Sequence, residues 1–119
     1  MEPIEQQVLD SPAAAPVQKE KRRRSNRPRV QPPYAVIVLN DDLHTFSYVI
    51  ETFQKVFGYS VEKATLLAIG IHHAGRASVW SGTRELAELK LEQVRGAGPD
   101  LYAETRVEFP LGAYIEPLP

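Results

Sequence analysis

A short apolar run followed by two amphipathic segments dominates the chain from residue 32 to its middle. The run from Tyr34 to Leu39 is rich in β-branched residues and is bounded by turn formers, which predicts a buried β-strand. Apolar residues fall on one face of each of the next two segments, which predicts helices from about Phe46 to Phe57 and from about Val61 to Ala74. A residue able to cap the first turn precedes each helix, Thr45 and Ser60, and a glycine follows each.

The remaining part of the chain predicts further strands and a third helix. Arg76 to Trp80 has the pattern of a strand, and Thr83 can cap a helix that reaches roughly to Arg95. Arg106 to Phe109 is a weaker candidate for a short strand, and Gly112 to Glu116 is a stronger candidate for the final one. The order β-α-α-β-α-β predicts a small α+β sandwich in which three helices lie on one side of a three-stranded sheet.

Charge is distributed unevenly over the 119 residues, although the net charge is only −1. Residues 1–31 carry +3 and residues 32–119 carry −4. The first segment is poor in aromatic residues and rich in proline, alanine, glutamine and charge, so it cannot bury enough apolar surface to offset its ordering entropy. We therefore predict a disordered basic extension over 1–31 and one folded domain over 32–119. The run from Lys19 to Arg24 has two interpretations: a patch for nucleic acid or an acidic partner, or a solvated tail.

Several classes of protein are disfavoured by composition. The chain has no cysteine, which excludes disulfides and thiolate metal sites. No apolar stretch approaches the roughly 20 residues needed to cross a bilayer, and the first residues are acidic and lack the apolar region of a secretory signal. A cytoplasmic location is therefore expected. The acidic body makes nucleic acid an unlikely main ligand of the folded part, because phosphate binding needs a basic face.

Three features of the chain are candidates for a functional site. The first is the triplet Asn40–Asp42 in a strand-to-helix turn, and the second is the pair His72–His73 at the end of the second helix. The third is a set of apolar residues at the ends of the two helices that would flank them: Phe46, Val49, Ala68 and Ile71. Each has a structural alternative, because Asn and Asp satisfy local backbone donors in turns, a histidine can sit at the edge of a core, and apolar residues can simply be core.

Catalysis and metal binding fit these residues poorly. No serine lies in a nucleophile-elbow motif, which disfavours a hydrolase. His44 and His72 with the aspartate pair form neither an H-x-x-x-H pattern nor a cysteine-containing one, so we expect no metal. These residues indicate a site that binds without reacting.

Acidic acceptors beside an apolar pocket suit a ligand that carries one ammonium and one bulky side chain. The N-terminus of a protein has both, because its α-amino group, with a pKa near 7.7–8.0, is largely protonated at neutral pH. A carboxylate about 4 Å away attracts it by about 4 kcal/mol at an effective dielectric near 20, before desolvation. Burial of one large apolar side chain adds roughly 1.5–3 kcal/mol. Together these terms approach the roughly 8 kcal/mol of micromolar binding, and neither suffices alone.

In order and spacing, five segments of the chain resemble the ClpS adaptors. These are Tyr34-x-Val36-Ile37-Val38-Leu39-Asn40-Asp41-Asp42, Phe53-Gln54-Lys55-Val56-Phe57, Glu62-Lys63-Ala64-Thr65, Ile71-His72-x-x-Gly75-Arg76-Ala77 and Glu85-x-Ala87-Glu88-x-Lys90. The resemblance covers about residues 32–95 and resumes at 110–111. It implies an adaptor without catalytic activity or cofactor. Such an adaptor binds substrates that begin with Phe, Leu, Tyr or Trp and docks on the N-terminal domain of a ClpA- or ClpC-type AAA+ unfoldase.

The resemblance also implies roles for individual residues. Positions matching the ligands of the α-amino group are Asn40, Asp41, Asp42 and His72, and we expect Asp42 to be the direct ligand, with Asp41 acting at longer range or through water. Positions matching the side-chain pocket are His44, Phe46, Val49, Ala68, Ile71 and Leu111. Positions matching the face toward the unfoldase are Glu85 and Lys90. The family's N-terminal extension takes part in delivery, which gives residues 1–31 a second possible role.

Four departures from the family pattern bear on specificity. The family usually has methionine at the positions of Phe46 and Ala68, and threonine at that of His44, so the preferred side chain can differ. Residues 96–109 are longer and less helical than the family pattern. Two other functions stay open: an AAA+-docking module that does not read N-termini, and nucleic-acid binding through the basic tail.

Overall fold

A computed structural model describes residues 31–119. The elements in chain order are β1 (Tyr34–Leu39), α1 (Phe46–Phe57), α2 (Val61–Ala74), β2 (Arg76–Gly82), α3 (Arg84–Arg95) and β3 (Ala113–Pro117). The α+β class, the β-α-α-β-α-β order and the position of three helices beside a three-stranded sheet are confirmed. All of the predicted disordered extension over 1–31 except Gln31 lies outside the described residues, and so does its basic run.

The central strand of the sheet is β1, and both of its neighbours run antiparallel to it in the order β2-β1-β3. Val36 pairs with Trp80 of β2 on one side and with Ile115 of β3 on the other. The register with β2 shifts between Val36 and Ile37. The middle of β1, residues 35–38, is buried on both faces, as its continuous apolar run predicts.

All three helices begin at the predicted capping residues. Thr45, Ser60 and Thr83 have extended backbone conformations, and each side chain accepts a hydrogen bond from the backbone N–H three residues later. After α1 and α2 come Gly58 at φ 71° and Gly75 at φ 89°, left-handed conformations that favour glycine. These local signals explain why the bounds of α1 and α2 agree with the sequence prediction.

The core lies between the sheet and the helices. Phe53 of α1 is fully buried in this core. The other buried members of this cluster are Val36, Val38, Tyr48, Ala64, Ile71, Val79, Ala87, Val94, Leu111 and Ala113. Three lining positions of the predicted binding site, Ala68, Ile71 and Leu111, are thus buried residues at the edge of the core. No helix within residues 31–119 is long and apolar enough to cross a membrane.

The segment between α3 and β3 has no regular secondary structure. We call residues 98–109 the strap, because they lie along the N-terminal half of α1 and contact it repeatedly. The predicted short strand from Arg106 to Phe109 is wrong, since only Val107 forms a bridge, with Asp100. The alternating sequence predicted a strand, but in this segment only the backbone of Val107 is paired, and its neighbours do not continue the pairing into a ladder. The strand β1 has the predicted bounds, and the bounds of β2 and β3 differ from prediction by at most two residues.

Candidate functional site

Three loops meet at the carboxyl end of β1. The N–H of Leu39, the last residue of the strand, donates to the carbonyl of Gly112 before β3, at 2.8 Å. The N–H of Asn40 donates to the carbonyl of Gly75 after α2, at 2.9 Å. Because Gly75 follows α2 directly, the second bond brings the last turn of α2, with His72, beside the turn after β1.

A cavity of about 230 Å³ opens at this junction. Its lining contains all ten residues proposed from the sequence for the amino group and the side-chain pocket: Asn40, Asp41, Asp42, His44, Phe46, Val49, Ala68, Ile71, His72 and Leu111. Val38, Leu39 and Thr45 complete it. Residues separated by up to about 70 positions in the chain therefore surround one space, with polar side chains from the turn after β1 on one side and apolar side chains from α1 and α2 on the other.

Asp41 is engaged by its own turn. Its Oδ1 accepts the backbone N–H of Leu43 at 2.9 Å and that of His44 at 2.7 Å, and its Oδ2 lies 2.7 Å from Nδ1 of His44. Burial acts to raise the pKa of Asp41, but these hydrogen bonds outweigh it and hold the pKa below its usual value. The structural alternative, an acidic residue that satisfies local donors, therefore describes Asp41.

His44 is buried, with 1 % of its side chain exposed. Its Nε2 lies 2.9 Å from the carbonyl oxygen of Phe109, which can only accept, so Nε2 carries a proton. Its Nδ1 faces the carboxylate of Asp41, which is also an acceptor. Both ring nitrogens are therefore held, one by the Asp41 carboxylate and one by the Phe109 carbonyl, and these two contacts fix the orientation of the ring.

The rim of the cavity keeps polar groups available. Within residues 31–119, no hydrogen bond uses the side chains of Asn40, Asp42 or His72. Asp42 and His72 are exposed and Asn40 is half-buried. Because Asp41 is held by its own turn and by His44, Asp42 is the carboxylate of this rim that makes no such contact within residues 31–119.

The apolar wall follows from helical spacing. Ala68 and Ile71 project from one face of α2, and His72 follows on the same face at the mouth of the cavity. Phe46 and Val49, three residues apart on α1, form the opposite wall. Phe46 is 48 % exposed, and its ring meets the His72 ring edge to face with 5.4 Å between the ring centroids. An exposed aromatic ring at the mouth offers apolar surface to a ligand.

Glu85 and Lys90 lie on α3, away from the cavity lining. Glu85 is exposed in the first turn of the helix. Lys90 is half-buried, and its ammonium donates to the carbonyl of Val56 in the last turn of α1, at 2.9 Å. Five residues apart, the two side chains point about 140° from each other around the helix axis. The structure therefore gives Lys90 a contact inside the domain that the sequence did not predict.

Besides Val38 and Leu39 of β1, which line the cavity, three further contributors to the site were not predicted from the sequence. Thr45 was recognised only as a cap, yet it also lines the cavity. Phe109 and Asp100 belong to the strap and reach His44 and Thr45. Asp100 could not be singled out from the sequence, because it follows Gly98 and Pro99, a context typical of an ordinary turn. Only its burial in the structure distinguishes it. Within residues 31–119 no group of three or more imidazole or carboxylate side chains could hold a metal ion.

Comparison with known proteins gives one family. Residues 29–107 match the family model described as ATP-dependent Clp protease adaptor protein ClpS. The chain is similar to the ATP-dependent Clp protease adapter protein ClpS of Streptomyces avermitilis, with 42 % identity over 90 residues that cover 72 % of this chain and 86 % of the relative. It is 35 % identical to that of Mycobacterium marinum over 91 residues, covering 76 % of this chain and 90 % of the relative.

A solved structure has the same fold. The structure of Agrobacterium tumefaciens ClpS2 bound to L-phenylalaninamide superposes with a TM-score of 0.61 at 28 % sequence identity. The match covers 75 % of this chain and 100 % of that one. The ligand of that neighbour joins a free α-amino group to an aromatic side chain.

Proposed function

This chain belongs to the ClpS family of ATP-dependent Clp protease adaptors, and we propose that it captures the free N-terminal residue of substrate proteins and delivers them to a Clp unfoldase. The observation that carries the proposal is one cavity with an acidic, hydrogen-bonding rim on one side and an apolar wall on the other. The L-phenylalaninamide bound by Agrobacterium tumefaciens ClpS2 supports it, because that ligand mimics a first residue.

Amino-group capture is assigned to the rim. Asn40 supplies an amide oxygen, Asp42 a carboxylate and His72 an imidazole nitrogen, and an α-ammonium needs three acceptors of this kind. Asp42 is the direct charged ligand in this proposal. Asp41 acts at longer range, because it holds the turn and His44 in place.

Selection of the first side chain is assigned to the apolar wall. Phe46, Val49, Ala68, Ile71 and Leu111 would surround a bulky apolar group such as that of Phe, Leu, Tyr or Trp. The cost of desolvating the ammonium is offset only when a large apolar side chain is buried with it. The site therefore requires both parts of a first residue, and small or acidic first residues are excluded by the energy balance.

Delivery requires a second surface. We assign Glu85, exposed at the start of α3, to docking on the N-terminal domain of a ClpA- or ClpC-type unfoldase. Lys90 is included in this surface, although its ammonium also caps α1. Because such unfoldases consume ATP, the proposal places the encounter in the cytoplasm.

The test is degradation of a reporter protein by a reconstituted Clp unfoldase and peptidase. Reporters that begin with Phe, Leu, Tyr or Trp are expected to be degraded only when this protein is present, and reporters that begin with Ser or Asp are expected to persist. A protein that binds the unfoldase but accelerates no reporter according to its first residue would overturn the proposal and favour a docking module that does not read N-termini.

A further inference from the structure

Four residues of the strap form hydrogen bonds to the N-terminal half of α1 and the two residues that precede it. The Gly98 carbonyl accepts from the Tyr48 hydroxyl at 2.5 Å, and the Asp100 carboxylate accepts from the Thr45 N–H at 2.7 Å. The Tyr102 hydroxyl donates to the Glu51 carboxylate at 2.6 Å. The Phe109 carbonyl accepts from His44 Nε2 at 2.9 Å. Every partner lies within residues 44–51, the stretch that also supplies one wall of the cavity.

Asp100 is the central contact of the strap and is fully buried. Its carboxylate also accepts the hydroxyl of Thr45 at 3.1 Å and the backbone N–H of Tyr102 at 2.9 Å. A buried carboxylate is costly unless such donors compensate it, and the N-terminus of a helix favours negative charge. Displacement of Thr45 from Asp100 would leave that carboxylate short of donors, so the pair fixes the start of α1.

The cap of α1 depends on the same pair. The hydroxyl of Thr45 donates its single hydrogen to Asp100, which leaves its oxygen free to accept the backbone N–H of Tyr48 at 3.1 Å. Asp100 therefore orients the capping group as well as the backbone of the capping residue. Phe46 and Val49, which follow directly, line the cavity.

We propose that Asp100 is a positioning residue for the cavity: it holds the first turn of α1 and thereby sets the width of the space offered to the first side chain. On α1 itself the strap contacts Tyr48 and Glu51, which do not line the cavity. Asp100 holds Thr45, which lines the cavity and directly precedes Phe46. The consequence for side-chain choice rests on the proposed function, but the position of the first turn does not.

The first experiment needs no ligand. Amide hydrogen exchange is compared for the wild type, Asp100→Asn and Glu104→Gln, the last being a matched loss of one charge at an exposed strap residue. In Asp100→Asn, an NH₂ group replaces one of the two carboxylate oxygens, so the side chain has one oxygen fewer to accept from the N–H and the hydroxyl of Thr45. The amides of Tyr48 and Val49 are expected to exchange about tenfold faster, while those of Val36 and Val38 in β1 stay unchanged. No change in α1, or equal acceleration in β1, would overturn the inference.

The second experiment measures selectivity at two independent anchors. Tyr48→Phe removes only the hydroxyl that contacts Gly98, and Tyr48 does not line the cavity. The ratio of affinities for peptides that begin with Trp and with Leu is expected to rise about threefold or more in both Asp100→Asn and Tyr48→Phe, because the wall can move outward. Glu104→Gln should leave the ratio unchanged.

The outcomes separate the two proposals. If the ratio of affinities for the Trp and Leu peptides is unchanged in both Asp100→Asn and Tyr48→Phe, the strap has no role in selecting the first side chain. This holds even if both variants are less stable and bind all peptides more weakly. Wild-type protein that binds no free-amine peptide would instead overturn the proposed function, and hydrogen exchange would still decide whether Asp100 positions α1.

Discussion

The carboxylate of Asp41 lies 2.7 Å from Nδ1 of His44, so Asp41 is held by a partner in the wall of the cavity. Asp42, the next residue, is exposed at the rim. Two adjacent carboxylates that are equivalent in the sequence therefore have different tasks: Asp41 builds the turn and Asp42 is free to meet a ligand.

This difference predicts unequal effects of matched substitutions. Asp42→Asn is expected to weaken binding of a free-amine peptide by about 1.5–3 kcal/mol, or roughly 10- to 150-fold, because a charge-assisted contact is lost. Its effect on the free energy of unfolding should be small. Asp41→Asn should show the opposite pattern, a lower free energy of unfolding with a smaller loss of affinity. Calorimetric titration and urea denaturation of both variants check this, and equal affinity losses would contradict the assignment.

The lowered pKa of Asp41 predicts the pH range in which this turn stabilises the fold. A carboxyl group whose pKa is lower in the folded than in the unfolded protein contributes stability that is present above its unfolded value, about 4, and is lost as pH falls through the folded value. The difference in unfolding free energy between wild type and Asp41→Asn should therefore be full at pH 6 and shrink below about pH 4. A difference that is constant from pH 6 to pH 2.5 would contradict this account.

The elements were predictable because their signals are local. Caps at Thr45 and Ser60 and the apolar spacing between them define α1 and α2 without reference to the rest of the chain. The division of tasks between Asp41 and Asp42 was not predictable in the same way, since it depends on the orientation of His44. That orientation is fixed by the carbonyl of Phe109, which lies 65 residues away in sequence.

The strap shows the same limit of sequence reasoning. Asp100 follows glycine and proline, a context typical of an exposed turn, yet it is fully buried. Its burial is possible only because the N-terminus of α1 supplies donors, and no short-range pattern records that pairing. The ten residues singled out for the amino group and the side-chain pocket all line one cavity, whereas the sequence segments that pointed to them, about 32–95 and 110–111, do not include Asp100.

The small side chain of Ala68 predicts how the size of the cavity controls selectivity. Ala68 is buried in the wall contributed by α2. Ala68→Met should fill part of the cavity. It should therefore weaken binding of peptides that begin with Trp more than binding of peptides that begin with Leu, so that the ratio of the two affinities falls about tenfold. Leu66→Met, an exposed change on the same helix, serves as the control. A ratio that changes equally in both variants, or in neither, would show that Ala68 does not limit the cavity.

The two residues assigned to unfoldase docking should differ in their effect on stability. Glu85 is exposed, so Glu85→Ala should weaken binding to the unfoldase N-terminal domain with little change in the free energy of unfolding. Lys90→Ala should also lower that free energy by about 1 kcal/mol, because the Val56 carbonyl loses its donor at the end of α1. Thermal denaturation beside a binding assay separates the effects. Lys90→Ala with wild-type stability would show that the contact with Val56 is not significant in solution.

Recognition of a charged α-amino group is the claim on which the function depends, and one pair of peptides tests it. The affinity of the wild-type protein is measured for a peptide that begins with Phe and for the same peptide with its amino group acetylated, which removes the charge and keeps the side chain. We predict micromolar or tighter binding of the free peptide and a loss of about 100-fold or more on acetylation. Equal affinity for the two peptides would contradict the account.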